Sequence, residues 1–418
     1  MATHQDVVCP FCGLGCDDLT VKAGRSGLTV VSTDCPIARD GFGRTNPAQT
    51  NLTGPPRVGG NVVALDAAVQ AAAEALGASR APLIAGLATD VDGVRAALVL
   101  AERVGAVVDH VHSEGLYRNL AVLQRTGWIT TTFAELRNRC DLLLVAGPDP
   151  AAFHPRLYER WVASRPAFQE APTREVVFLC GEPQEGTRTA LENVSVTVVP
   201  GDAARVGEAA AALSAALADP SHAAAGIGAL AERLRRARYA VVAWAAAGFA
   251  GPHADLTVER LVRLVQDVNR HTRCAGLPLT GHDNVVGANQ VCTWQLGVPL
   301  RASLAGGAPL HDPYRFAWER FMDTADLVLW ISAFRPEVPA FPADKPVIAL
   351  APPGTAFAAE PAVFIPVGTP GIDHAAHVFR GDTVVAVRTG RLIDRGLPDT
   401  AAVLRTIADA LPQEAAVC

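Results

Sequence analysis

The stretch DLLLVAG, residues 141–147, holds an unbroken apolar run between an aspartate and a glycine. An amphipathic helix would interrupt such a run with polar residues every third or fourth position, and a half-exposed strand would alternate. A short continuous run closed by a turn residue reads instead as a strand buried on both faces, as in parallel sheets covered by helices. The same texture returns at EVVFLCG (175–181) and VSVTVVP (194–200), at the spacing expected of successive parallel strands.

Working outward, APLIAGLA (81–88) precedes a helical pattern from about Val91 to Val104, then AVVDHV (106–111). Within that helix Val91, Val94, Leu98 and Ala101 share one face, Asp90 suits the N-cap, and Gly105 suits the stop. After Ala-rich helices over 203–238 the pattern restarts with ARYAVVAWAAAGF (237–249) and a helix around 256–270. Further strands follow at DLVLWIS (326–332), PVIALAP (346–352) and AVFIPVG (362–368). A Gly-Asp turn inside HVFRGDTVVAVRTGR (377–391) suggests a closing hairpin. The first fifty residues differ, with short strand-like pieces DLTVKA and GLTVVS joined through AGRSG.

The expected architecture is therefore α/β: a small β-rich cysteine module at 1–55, then two lobes with mostly parallel sheets at 56–235 and 236–418. A chain of 418 residues exceeds what one core usually supports, which agrees with two lobes. With 50% apolar and 19% charged residues it is globular, and at a net charge of -6 it carries no nucleic-acid footprint. RLRRAR (233–238) reads as a solvated helix face. The N-terminal segment lacks the basic and apolar regions of a secretory signal, and no run is long enough for a membrane span. A soluble cytoplasmic protein is expected. In that reducing compartment its nine cysteines would stay free of disulfides.

Cys9, Cys12 and Cys16 have C-x2-C-x3-C spacing, and the hairpin that follows can fold Cys35 back beside them. Four thiolates suit either an iron–sulfur cluster or a structural zinc. Gly13 and Gly15 allow a tight turn with N–H groups aimed at sulfur, which serves a cluster better than it serves zinc. Cys140, Cys180, Cys274, Cys292 and Cys418 are scattered among apolar residues and read as small buried hydrophobes. His110 and His112 alternate on a strand-like segment with no carboxylate at ligand spacing, which favours packing or surface roles. His154 and Arg156 follow DLLLVAG at the strand end where α/β sheets bind ligands, so a phosphate contact and a loop cap both fit. GHDNVVGANQ, with Asn284 and Asn289, could offer polar groups to a ligand or simply turn the chain. No nucleophile elbow, Walker loop or HExxH motif is present.

CPFCGLGCDD (9–18), with Cys35 after it, resembles the N-terminal motif of the B-type subunit of formylmethanofuran dehydrogenase, in the molybdopterin oxidoreductase superfamily. The resemblance continues, in that family's order, through NLAVLQRTGW (119–128), ELRNRCDLLLVAGPDPAAFHPR (135–156), GHDNVVGANQVCTWQLGVP (281–299) and IPVGTPGIDHAAHVFRGDTVVAV (365–387). It implies a cluster module and two α/β lobes clasping a bis-pterin molybdenum or tungsten cofactor, with a [4Fe-4S] cluster on Cys9, Cys12, Cys16 and Cys35. It also implies a metal-ligand Cys or selenocysteine just before NLAVLQ. Here VVDHVHSEGLYRNLAVLQ (107–124) contains no cysteine, and Ser113 stands at the approximate place of the ligand.

That departure is similar to the B-type subunit of the bacterial formyltransferase/hydrolase complex of methylotrophs. Such a complex moves and hydrolyses a formyl group without redox chemistry, using amidohydrolase-like and formyltransferase subunits and a furan-type formyl carrier. The resemblance implies a subunit of such a complex in one-carbon metabolism, whose molybdopterin or tungstopterin is absent. A working molybdenum or tungsten oxidoreductase subunit and a zinc-stapled scaffold remain the alternatives.

Overall fold

The computed structural model describes residues 2–46, 54–168 and 174–412; Cys418 lies outside them. It is a mixed α/β structure, and the chain divides into two compact units, Glu114–Thr280 and the pair of segments Met1–Ser113 and Gly281–Cys418.

In the unit Glu114–Thr280 the opening stretch forms the strand Leu142–Ala146, buried along its whole length. It lies at the centre of a five-stranded sheet in the order Ser195–Val199, Glu175–Leu179, Leu142–Ala146, Tyr239–Trp244, Arg273–Pro278. All four pairings are parallel. The charged start of the strand is satisfied, because the Asp141 carboxylate accepts from the Arg238 and Tyr239 N–H groups at 2.7 and 3.0 Å. Gly147 ends it in the left-handed region, φ 84°, at a place where a Cβ would meet the Phe249 ring at 2.8 Å. Helix Ala254–Val268 covers the sheet with Val258, Leu261, Val262 and Val265, all buried. Each such aliphatic side chain contributes about 1.5–3 kcal/mol when fully buried.

The other unit is built on a nine-stranded mixed sheet. Its parallel centre runs Val107–Val108, Pro82–Ala88, Leu327–Ser332, Val347–Ala351, Val363–Pro366. Helix Val91–Val104 forms as read from the sequence: the Asp90 side chain accepts from the Gly93 N–H, and Gly105 closes the helix at φ 66°. The closing hairpin also forms, with Ala376–Phe379 antiparallel to Ala386–Thr389. Ala2–Val7, Leu19–Gly24 and Gly27–Val30 make a three-stranded antiparallel sheet.

Two boundaries differ from the sequence reading. Position 236 does not open a second lobe, because Tyr239–Trp244 pairs with Leu142–Ala146 in the same sheet. Residues 82–88 instead join 327–332, so one unit is assembled from both ends of the chain. Parallel pairing is not local, and an apolar run carries no mark of its partner. The cysteine-bearing segment is likewise no separate body: it belongs to the unit of Met1–Ser113 and Gly281–Cys418. There the Gly13 carbonyl accepts from the Gly381 N–H at 2.7 Å.

Candidate functional site

The loop Cys9–Cys16 closes on itself through the Cys9 N–H and the Cys16 carbonyl, 2.8 Å apart. Gly13 and Gly15 turn it with φ of 75° and 60°. A Cβ at Gly13 would lie 2.7 Å from the Gly281 Cα, so backbone packs on backbone there and only glycine fits. The N–H groups of Phe11 and Leu14 donate to the Cys9 and Cys12 sulfurs. Phe11 anchors the loop edge-on between Phe42 and Phe334, at 5.5 and 6.4 Å.

Cys35 reaches the loop as the residue capping helix Pro36–Gly43. Cys9, Cys12, Cys16 and Cys35 are all buried. They lie within electrostatic reach of one another: burial first, then negative charge on Cys12, Cys16 and Cys35, pushes the Cys9 thiol well up. Burial and Cys16 push Cys12 up to about 12, against the opposing charge of Arg335. Cys12, Cys16 and Cys35 are thus within electrostatic range of Cys9. Among the described residues no group of three or more His, Cys, Asp or Glu side chains is arranged to hold a metal ion.

Asp283 connects this loop to a polar cluster that the sequence reading missed. Its N–H donates to the Phe11 carbonyl at 3.0 Å. Its buried carboxylate accepts from Arg335 Nε and pairs with His112 Nε2, each at 2.9 Å. Burial alone would raise its pKa, but His112 and Arg335 outweigh that and hold the carboxyl at about 2. Arg335 also reaches His282 Nδ1 at 3.1 Å.

His110 and His112 do not alternate on a strand. The strand stops at Val108, and both rings follow it, 5.7 Å apart. His110 Nδ1 accepts from the His112 N–H at 3.0 Å, so Nε2 carries the proton that is donated to the Asp283 carbonyl at 3.1 Å. Burial and His112 lower its pKa to about 3, which keeps the ring neutral. The carboxylate missing from the local sequence is supplied by Asp283, 171 positions away from His112.

Ser113 is buried at the start of helix Ser113–Thr126. Its Oγ accepts from Arg301 Nε at 3.2 Å and hydrogen-bonds the Asp109 carboxylate. Arg301 and Asp109 are themselves almost fully buried and 3.6 Å apart. Burial lifts the Asp109 carboxyl to about 6, against Arg301, Ser113 and the N–H groups of Trp318 and His110. The Ser113 hydroxyl therefore links two opposite charges. Its proton and one of its two lone pairs are engaged.

The remaining candidates do not gather here. Asn284, at φ 61°, spends its amide on the Thr89 carbonyl and the Phe379 N–H, at 2.8 and 2.9 Å. Asn289 accepts from the Leu300 N–H at 3.2 Å. Both make contacts within their own unit. Arg156, in the unit Glu114–Thr280, pairs with Glu159 at 2.6 Å, and His154 is buried beside it. Nearby, Asp149 ties the loop to Tyr158 and Thr187. Cys140, Cys180, Cys274 and Cys292 are buried, as expected of small hydrophobes, with Cys140 and Cys274 within electrostatic reach of each other. The signals that could have found Asp283 and Asp109 are modest: an Asp-Asn pair beside Gly281, suited to left-handed backbone, and a carboxylate closing an apolar strand.

No family model matches the chain. The B-type subunit of the formyltransferase/hydrolase complex of Methylorubrum extorquens is 33% identical over 325 residues, spanning 75% of this chain and 85% of that protein. The corresponding B-type subunit of the tungsten-containing formylmethanofuran dehydrogenase 2 of Methanocaldococcus jannaschii is 27% identical over 320 residues, 74% of each chain. Among solved structures, a chain from the crystal structure of the Methylorubrum extorquens complex with methylofuran superposes with a TM-score of 0.75 at 30% identity. That match covers 85% of this chain and 98% of that one. The chain belongs to the family of B-type subunits of the formyltransferase/hydrolase complex.

Proposed function

We propose that the chain is a subunit of a formyltransferase/hydrolase complex in one-carbon metabolism, built on a molybdopterin-oxidoreductase-like frame that has given up its molybdenum or tungsten site. The observation that carries this reading is Ser113. Where the resemblance expects a thiolate, this chain has a hydroxyl held between Arg301 and Asp109. A thiolate is a soft, strongly donating ligand, whereas a hydroxyl already bound on both sides, next to a fixed guanidinium, opposes a metal cation there. Formyl transfer and hydrolysis then fall to partner subunits of formyltransferase and amidohydrolase type, with the formyl group on a furan-type carrier. The similarity to the Methylorubrum extorquens complex supports that assignment. His154, Arg156, Asn284 and Asn289 are left with roles inside this chain rather than at a cofactor.

Cys9, Cys12, Cys16 and Cys35 supply the kind and number of ligands a [4Fe-4S] cluster takes, four buried thiols with two receiving backbone N–H groups, and holding the cluster requires them to close into a ligand set that they do not form here. Such a cluster would supply one-electron transfer. Arg335, close enough to Cys12 to favour its thiolate, would offset part of the cluster's negative charge. No helix among the described residues is long and apolar enough to cross a membrane, and the free thiols suit the reducing cytoplasm.

Metal analysis of the anaerobically purified complex tests the reading. About four iron atoms per chain with neither molybdenum nor tungsten is expected. One equivalent of molybdenum or tungsten refutes it and favours a working oxidoreductase. Zinc without iron refutes the cluster and favours the stapled scaffold.

A further inference from the structure

The loop Cys9–Cys16 is held by contacts that involve no sulfur, and several of them run to the Gly281–Cys418 segment of the same unit. Its ends are joined backbone to backbone, the Cys9 N–H donating to the Cys16 carbonyl at 2.8 Å. Two of its carbonyls accept from the later segment: Phe11 from the Asp283 N–H at 3.0 Å, and Gly13 from the Gly381 N–H at 2.7 Å. Gly13 lies so close to Gly281 that a Cβ would stand 2.7 Å from the Gly281 Cα, and Gly15 rests on the Arg380 side chain.

Apolar burial secures the same loop. Phe11 is 2% exposed and Leu14 1%. The Phe11 ring leaves no room for a Cβ at Gly41 of helix Pro36–Gly43, and it packs edge-on against Phe42 and, from the later segment, Phe334.

Modules that depend on a metal for their fold are built the other way. Their ligand set is the main cross-link, the free energy of metal binding is folding free energy, and removing the metal unfolds them. Here the four thiols are buried, yet among the described residues no group of three or more His, Cys, Asp or Glu side chains is arranged to hold a metal ion. The loop therefore has its cross-links without a ligand set.

We propose that the Cys9–Cys16 loop is a metal-independent clasp: it fastens the start of the chain to the Gly281–Cys418 segment through backbone and aromatic contacts, and a cluster, where one is bound, enters a loop already folded. The clasp and the cluster stand or fall separately, because the first concerns what folds the loop and the second what its thiols hold.

The test is hydrogen exchange of the peptide spanning residues 9–16, read by mass spectrometry alongside thermal melting, on the full chain purified anaerobically. Four forms are compared: the chain as isolated, the same chain after chelation of its metal, the Cys12→Ser/Cys16→Ser double variant, and Phe11→Ala. Serine at position 12 keeps an acceptor for the Leu14 N–H. The chelated chain and the double variant should keep the loop amides protected and melt within about 3 °C of the wild type. Phe11→Ala, with all four thiols in place, should speed exchange roughly 100-fold and lower the melting temperature by about 5 °C or more. Loss of protection on chelation overturns the inference, as does a double variant that exchanges like Phe11→Ala, or a Phe11→Ala loop that stays protected. A wild-type chain isolated without metal whose loop is protected supports the clasp while removing the cluster; one whose loop exchanges freely overturns the clasp.

Discussion

Asp283→Asn isolates the charge that ties the cysteine loop to the histidine cluster. Asparagine accepts left-handed backbone as readily as aspartate, so the φ of 50° at this position is preserved. The Asp283 carboxyl sits at about 2 against an ordinary 3.8. At about 1.36 kcal/mol per unit, that depression is worth roughly 2 kcal/mol of folding stability. The substitution also strands the Arg335 guanidinium, whose side chain is only 31% exposed. Breaking a buried pair from one side typically costs about 3–5 kcal/mol, so a loss of roughly 3 kcal/mol at pH 7 is expected. The sign with pH follows from the direction of the shift. A depressed carboxyl stabilises the fold above its unfolded pKa and loses that contribution as pH falls toward the folded value. At pH 3 the wild-type advantage should therefore be about 1 kcal/mol smaller than at pH 7. Urea unfolding followed by tryptophan fluorescence at the two pH values measures both quantities. A penalty within about 0.5 kcal/mol of zero at pH 7, or one that does not shrink at pH 3, refutes the pairing of Asp283 with His112 and Arg335.

Ser113→Ala removes the hydroxyl between Arg301 and Asp109 and should cost roughly 1–2 kcal/mol in denaturant unfolding, while formyl transfer by the assembled complex stays at the wild-type level; lost activity at unchanged stability would return Ser113 to a functional role. Asp109, lifted to about 6, makes the fold less stable as pH rises from about 4 to 6, because the folded state holds its proton longer. Asp109→Asn should flatten that slope, worth about 3 kcal/mol, in melting temperatures recorded across the same window. Gly13→Ala forces a Cβ to 2.7 Å from the Gly281 backbone at φ 75° and should cost about 2 kcal/mol or more. It should also speed the reaction of the buried thiols with a thiol reagent.

What was legible in the sequence was whatever is local. The Asp90 cap, the Gly105 stop and the 142–146 strand were readable because each depends on neighbours a few residues away. The turn of the Cys9–Cys16 loop was readable because Gly13 and Gly15 lie within it. Sheet order was not, since Pro82–Ala88 finds its partner at Leu327–Ser332 across the whole inserted unit. Asp283 was missed for the same reason: His112, Arg335 and Phe11 reach it from three separate parts of the chain, and none is a sequence neighbour. Asn284 carried a misleading signal, because the left-handed Asp-Asn turn that looked ready for a ligand uses the amide to hold Thr89 and Phe379.

The cysteine loop and Ser113 rest largely on different immediate contacts. The thiol loop is shaped by its own glycines and by backbone contacts to Gly281 and Gly381, and it meets the segment of Ser113 only indirectly, through Asp283 and the two histidines. Ser113 belongs instead to the buried Asp109–Arg301 pair, whose 3.6 Å gap it helps to bridge. A thiol there would be a weaker acceptor for Arg301 and a weaker donor to Asp109, leaving two buried charges less satisfied. The serine is thus favoured by its immediate neighbours whether or not a cluster occupies the thiol loop. The buried Asp109–Arg301 pair accounts for a serine at position 113 without reference to any metal.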